Sequence, residues 1–193
     1  MHRLLQARWF RLMLPVVAAA LITALPATPA SAAPAAAGKA PRVAVVSPLT
    51  TLNGNGRILN DHSGRCVGIG AGLAGIWECT TETDQTWKFD TGNCRLGSCT
   101  IVNDLGECLA VNGGNISNGQ RILGFHCSGS DDQYWSYFTI DGNRENFINL
   151  KGTKTHNGDY YVLAVDSIRT DNGAPVVLWK WNGSLDQHWT WEF

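Results

Sequence analysis

Three short frames in this chain combine an acid, an amide and an indole at fixed spacing. They are Asp84-Gln85-Thr86-Trp87, Asp132-Gln133-Tyr134-Trp135 and Asp186-Gln187-His188-Trp189. Each supplies a carboxylate acceptor, an amide that both donates and accepts, and a large apolar ring. Catalysis would need an activated group beside these. The chain has no Gly-x-Ser-x-Gly, no His-Glu-x-x-His and no Gly-rich phosphate loop. Asp131 and Asp132 are adjacent, but neighbouring strand residues face opposite ways, which makes a poor acid–base dyad. His62, His126, His156 and His188 do not recur at equivalent positions. His126 and His188 adjoin core positions and are expected on exposed strand faces. The chain is therefore read as a non-enzyme with no catalytic residues and no cofactor. Rings, amides and carboxylates then remain for non-covalent binding.

The elements that position these frames repeat with them. Six residues before each Gln stand Cys79, Cys127 and Trp181, and two before those stand Trp77, Phe125 and Trp179. Further upstream come Cys66-Val67-Gly68-Ile69, Cys108-Leu109-Ala110-Val111 and Val162-Leu163-Ala164-Val165. An apolar residue followed by Asn opens each unit, at Asn60, Asn103 and Asn149. Cys108 to Cys127 and Val162 to Trp181 both span 19 residues, while Cys66 to Cys79 spans 13. The first unit has thus lost six residues, and in the third an apolar pair replaces two cysteines. This spacing pairs Cys66 with Cys79 and Cys108 with Cys127. Cys94 and Cys99 flank a short turn and would clip a hairpin. Such loops stabilise by ~2–4 kcal/mol each, less for the shortest. Zinc would call for Cys-x-x-Cys or paired His, and neither occurs, so no metal is expected.

Residues 1–32 have the layout of a secretory signal peptide. Arg3, Arg8 and Arg11 precede the apolar run Leu12–Leu25, and Ala30-Ser31-Ala32 offers a small-x-small cleavage site. Residues 33–53 are an Ala/Pro-rich linker, leaving one domain over 54–193. Its units are expected at about 54–95, 96–141 and 142–193. The leader holds three Arg and no acid, so the remainder carries 12 basic against 16 acidic residues. That excess of acid argues against nucleic acid, and against a membrane once the leader is removed. An even set of six cysteines suits an exported chain. A secreted, extracellular monomer is expected.

Short β-forming segments such as Tyr161-Val162-Leu163 and Val176-Val177-Leu178-Trp179 alternate with Gly, Asn and Asp, and no long amphipathic helix is visible. Three tandem units of four short strands imply a closed, all-β structure with pseudo-threefold symmetry. The Gln-x-Trp units, the Cys-Leu-Ala-Val type strands and the aromatic-x-Cys before each Gln resemble the ricin B-type β-trefoil, the QxW lectin module. That resemblance implies a capped six-stranded barrel with Gln-x-Trp on the last strand of each unit. Trp87, Trp135 and Trp189 would be buried together, with Gln85, Gln133 and Gln187 hydrogen-bonded to turn backbone.

The resemblance also implies sugar binding. A ring stacks on the apolar C–H face of a sugar, and carboxylates or amides bond its hydroxyls. The family's aromatic position is Trp77, Phe125 or Trp179 here. Its carboxylate position is Gly68, Ala110 or Ala164, so the hydroxyl acceptor is missing from all three, and its further polar position holds Gly75, Leu123 and Val177. Two residues beyond the carboxylate position, on the same strand face, stand Gly70, Asn112 and Asp166. The third site is expected to be best, with Trp179, Asp166, Asp186 and Asn172, and Asp171 nearby. The second offers Phe125, Asn112 and Asp132, with Asn115 and Asn118 nearby. The first is expected to be dead, with Trp77 as packing. The expected partner is a glycan or polysaccharide held weakly. The alternative is a protein-binding β-trefoil such as a protease inhibitor.

Overall fold

Segments of four to nine residues, most of them followed closely by Gly, Asn or Asp, form only short strands before the chain turns. The computed structural model describes residues 54–140 and 144–193. The leader and the linker expected over 1–53 lie outside the described residues. Among the described residues twelve strands form: β1 (Arg57–Asn60), β2 (Arg65–Gly70), β3 (Leu73–Trp77), β4 (Trp87–Arg95), β5 (Ser98–Asn103) and β6 (Glu107–Val111), then β7 (Gln120–His126), β8 (Tyr134–Ile140), β9 (Arg144–Asn149), β10 (Tyr161–Val165), β11 (Ala174–Lys180) and β12 (Trp189–Glu192). One short helix, α1 (Leu150–Thr155), follows β9.

The strands close on themselves. β1 pairs antiparallel with β12, placing Ile58 opposite Trp191. A bridge between Gly56 and Trp87 brings in β4. Phe89 then faces Ile101 across β4 and β5, Thr100 faces Tyr134 across β5 and β8, and Tyr137 faces Phe147 across β8 and β9. β9 packs beside β12 and completes the ring. The hairpins β2–β3, β6–β7 and β10–β11 stand at one end and pair with one another through Leu73 and Leu123, Gly75 and Pro175, and Arg121 and Val177. Such mutual pairing leaves little open edge on which another chain could add a strand.

Trp87, Trp135 and Trp189 are each 0% exposed and sit in one core with Ile58, Ile101, Leu109 and Leu163. Their indole N–H groups donate to the carbonyls of Val67 (2.9 Å), Leu109 (2.8 Å) and Leu163 (2.9 Å). Each ring therefore ties a barrel strand to a cap hairpin, and its own indole nitrogen is satisfied. Trp181 packs against Ile148 and Val162. Disulfides join Cys66 to Cys79, Cys94 to Cys99 and Cys108 to Cys127, the pairs expected from spacing.

Each Gln lies one turn earlier than the resemblance implied. Gln133 and Gln187 end short 3-10 turns, Asp131–Gln133 and Leu185–Gln187, and the strands begin only after them, at Tyr134 and Trp189. The reason is the pair of bonds each amide makes. The carbonyls of Glu78, His126 and Lys180 accept from the Gln Nε2 atoms at 3.2, 2.8 and 3.1 Å. The N–H groups of Thr80, Ser128 and Asn182 donate to the Oε1 atoms at 2.9, 2.8 and 2.9 Å. An amide within the ladder could not reach back five and seven residues in this way.

His188 is buried at 5% exposure, contrary to the expected exposed strand face, whereas His126 is exposed. The turn after β1 covers it: the carbonyl of His188 accepts from the Asp61 N–H at 3.0 Å and the Asn60 amide at 3.2 Å. Asn60 and Asn149 themselves are fully buried, and Asn149 caps α1 by accepting from the Gly152 N–H at 3.2 Å.

Candidate functional site

Where a strand of the cap ends and the turn before a Gln begins, the chain leaves a hollow. Two such hollows carry the expected rings. The first, a cleft of about 280 Å³, is lined by Ala110, Asn112, Gly114, Phe125, Asp132 and Lys151, among others. The second, of about 190 Å³, is lined by Asp166, Ile168, Trp179, Asn182, Ser184 and Asp186, among others. Asn112 and Asp166 occupy matching places, each as the first residue of a 3-10 turn directly after β6 or β10. Phe125 and Trp179 sit near the ends of β7 and β11, and Phe125 is 48% exposed. The buried acids Asp132 and Asp186 precede the two Gln residues and close the far side.

The acids differ in how they are satisfied. Asp132 Oδ1 accepts from the Ser130 hydroxyl. Asp186 is 7% exposed, and its Oδ1 has no hydrogen-bond partner. A buried acceptor without a donor costs ~1–3 kcal/mol. Asp131, next to Asp132, points elsewhere. Its carboxylate pairs with Lys154 and with Arg95 (3.0 Å), and the hydrogen bond from Lys154, then that from Arg95, holds its pKa below the ordinary Asp value. The two acids are therefore not a dyad.

Asn172 is not brought to the Trp179 cleft. Its Oδ1 accepts from Arg65 Nη1 and the Glu78 N–H, both at 2.8 Å, because the β10–β11 hairpin leans on the β2–β3 hairpin. Asp171 pairs with Arg169, and Asn118 Oδ1 accepts from the Lys180 N–H at 2.7 Å. These polar loop residues hold loops to strands. Asn115 Nδ2 lies close beside Gly113, within its own turn.

No room for a carboxylate exists at the first position. A Cβ on Gly68 would lie 2.9 Å from both Asp84 Oδ2 and Gln85 Cγ. The Trp77 indole lies across the strand here, 3.1 to 3.2 Å from the points where a Cβ on Gly68, Gly70 or Gly75 would stand. The glycine run is thus a floor on which Trp77 packs.

Several lining residues escaped sequence reasoning. Ser130 and Ser184 each stand two residues before the cleft acid, a repeat that the sequence itself carries. Lys151 gave no such signal. It lies on α1, 19 residues from Asp132, and only the fold brings it over Gly114. Ser167 and Ile168 adopt φ of 57° and 56° where the other cleft has Gly113 and Gly114, both at 63°. A β-branched residue is poorly suited to that left-handed region. Ile168→Asn is expected to raise stability by ~0.5–1 kcal/mol, since Asn tolerates this backbone and the side chain is half exposed. Urea denaturation reads it, and a loss of stability would mean Ile168 packs more than it strains.

Among the described residues, no group of three His, Cys, Asp or Glu is placed to hold a metal ion. Residues 54–189 match the profile of the ricin-type β-trefoil lectin domain. One curated relative, nigrin b of Sambucus nigra, is 32% identical over 53 residues, covering 28% of this chain and 8% of that protein. The chain thus spans only a small part of that relative's length. The designed threefold-symmetric protein ThreeFoil superposes with a TM-score of 0.64 at 19% identity, over 72% of this chain and 98% of its own. The Macrolepiota procera ricin B-like lectin, solved in complex with lactose, gives 0.58 at 21%, over 72% and 94%. At these identities the two structures speak for the fold.

Proposed function

This chain belongs to the ricin-type β-trefoil lectin domain family, and we propose that it is a secreted, non-enzymatic carbohydrate-binding module. We infer one domain over 54–193, built as three four-stranded units of about 54–95, 96–141 and 142–193, behind a signal peptide and linker. The three disulfides support an oxidising, extracellular destination. Two clefts work, and the third position is closed by Trp77. The observation that carries the reading is the pairing of Trp179 with the unpartnered, buried Asp186 Oδ1 in one cleft. A ring for the C–H face of a sugar and a carboxylate lining the same hollow are the two devices such a ligand needs. Asp166 stands at the cleft's mouth as a second acceptor.

Each cleft is small and open, and Ala110 and Ala164 stand where the family has its acceptor. Affinity per cleft is therefore expected near ~0.1–1 mM. The test is retention of the folded protein on a panel of insoluble polysaccharides and a glycan array, beside a protease-inhibition assay. Retention on a glycan supports the proposal. Protease inhibition without glycan retention overturns it in favour of a protein-binding β-trefoil.

A further inference from the structure

The two clefts are built alike yet carry different charge. Around Trp179 stand two acids, Asp166 and Asp186, and no cation lines the hollow. Around Phe125 stand one acid, Asp132, and one cation, Lys151. The Lys151 ammonium approaches the floor closely: a Cβ on Gly114 would meet Lys151 Nζ at 2.9 Å and Asp132 Oδ1 at 3.5 Å. Gly114, with φ of +63°, keeps that space open. Asp132 Oδ1 accepts from Ser130, and the Lys151 ammonium forms no ion pair among the described residues.

Lys151 is also held in place. It sits in the first turn of α1, which is capped at Asn149 and tied at its other end by Lys154 to Asp131. The Thr153 hydroxyl adds a bond to the Asn149 carbonyl at 3.2 Å, and Gly152 packs tightly against Tyr161. A helix fastened at both ends adds no backbone ordering to the cost of presenting one ammonium, which leaves the entropy of the Lys151 side chain itself.

We propose that the Phe125 cleft selects sugars that carry an anionic substituent, a ring carboxylate or a sulfate ester, and that Lys151 is the selecting residue. This rests on the carbohydrate reading above. Phe125 stacks on the ring, Asp132 and Asn112 take its hydroxyls, and Lys151 Nζ donates to the anionic oxygens. Beside Asp166 and Asp186 the same substituent meets repulsion, so the Trp179 cleft keeps to neutral rings. A charge-assisted bond that is partly screened by solvent gives about a tenfold preference.

The experiment follows the Gly113 and Gly114 amide resonances of the full folded domain during titration with neutral and acidic partners of one ring. Galactose is compared with galacturonate and galactose 6-sulfate, and glucose with glucuronate. We expect an acidic probe to bind about tenfold more tightly than its neutral partner, with the preference shrinking as salt rises. Lys151→Met should abolish the preference, while Lys151→Arg should keep it. Carboxylate and sulfate arms show which substituent the site takes, and a preference for either supports the proposal. Equal affinities in the wild type, or a preference that survives Lys151→Met, overturn it and leave the carbohydrate reading standing. Absence of any shift at Gly113 and Gly114 overturns it too, while neutral-glycan retention through Trp179 separately reports on the wider reading.

Discussion

Trp189→Ala is expected to lower the folding stability by ~3–5 kcal/mol, as removal of a fully buried large ring does. Trp189 is 0% exposed, and its N–H is the partner of the Leu163 carbonyl in the middle of β10. The substitution therefore opens a cavity and also strands a buried acceptor. In a domain of this size the melting temperature should fall by roughly 8–15 °C. Trp189→Phe separates the two losses, because it restores most of the volume and none of the hydrogen bond. It should cost ~1–2 kcal/mol. Thermal and urea unfolding read both, with and without glycan. A Trp189→Ala protein of normal stability that has lost only its ligand would mean the frame is a binding device, and the assignment here would be reversed.

The same residue explains why so much of the fold was legible. Trp87, Trp135 and Trp189 must find both a core and a carbonyl, and one solution meets that demand three times, at Val67, Leu109 and Leu163. A demand repeated at fixed spacing is visible in sequence. So is the cysteine pairing, because loop length limits which thiols meet. The clefts were only half legible. Their rings and acids belong to the recurring frame, and Asn112 and Asp166 follow directly on the repeated strands β6 and β10, although both stand in 3-10 turns and not on the strand face. Asn172 was misplaced because nothing local says that its hairpin leans on Arg65 and Glu78. Lys151 was missed for the converse reason, since α1 interrupts the repeat and its packing is tertiary. His188 was misjudged because strand alternation does not report the turn of β1 that covers it.

Trp179→Ala is expected to remove most retention on neutral polysaccharide while leaving the melting temperature within about 2 °C of wild type. The ring is only partly buried and lines the cleft, so its loss takes away the stacking face without opening the core. Stacking is the larger share of what a shallow cleft can offer, and losing it at an affinity near ~1 mM puts the complex beyond a pull-down. Asp186→Asn should weaken binding less, about three- to tenfold, because an amide still presents one acceptor to the sugar. Phe125→Ala should lower retention on long polysaccharides more than binding of a monosaccharide. An extended chain that reaches both clefts gains effective concentration, and a single ring cannot. The comparison of all three variants with wild type, each first shown to be folded, decides between the clefts. Should Trp179→Ala bind as well as wild type while Phe125→Ala does not, the Phe125 cleft carries the activity alone. Should both bind as wild type does, neither cleft is the sugar site.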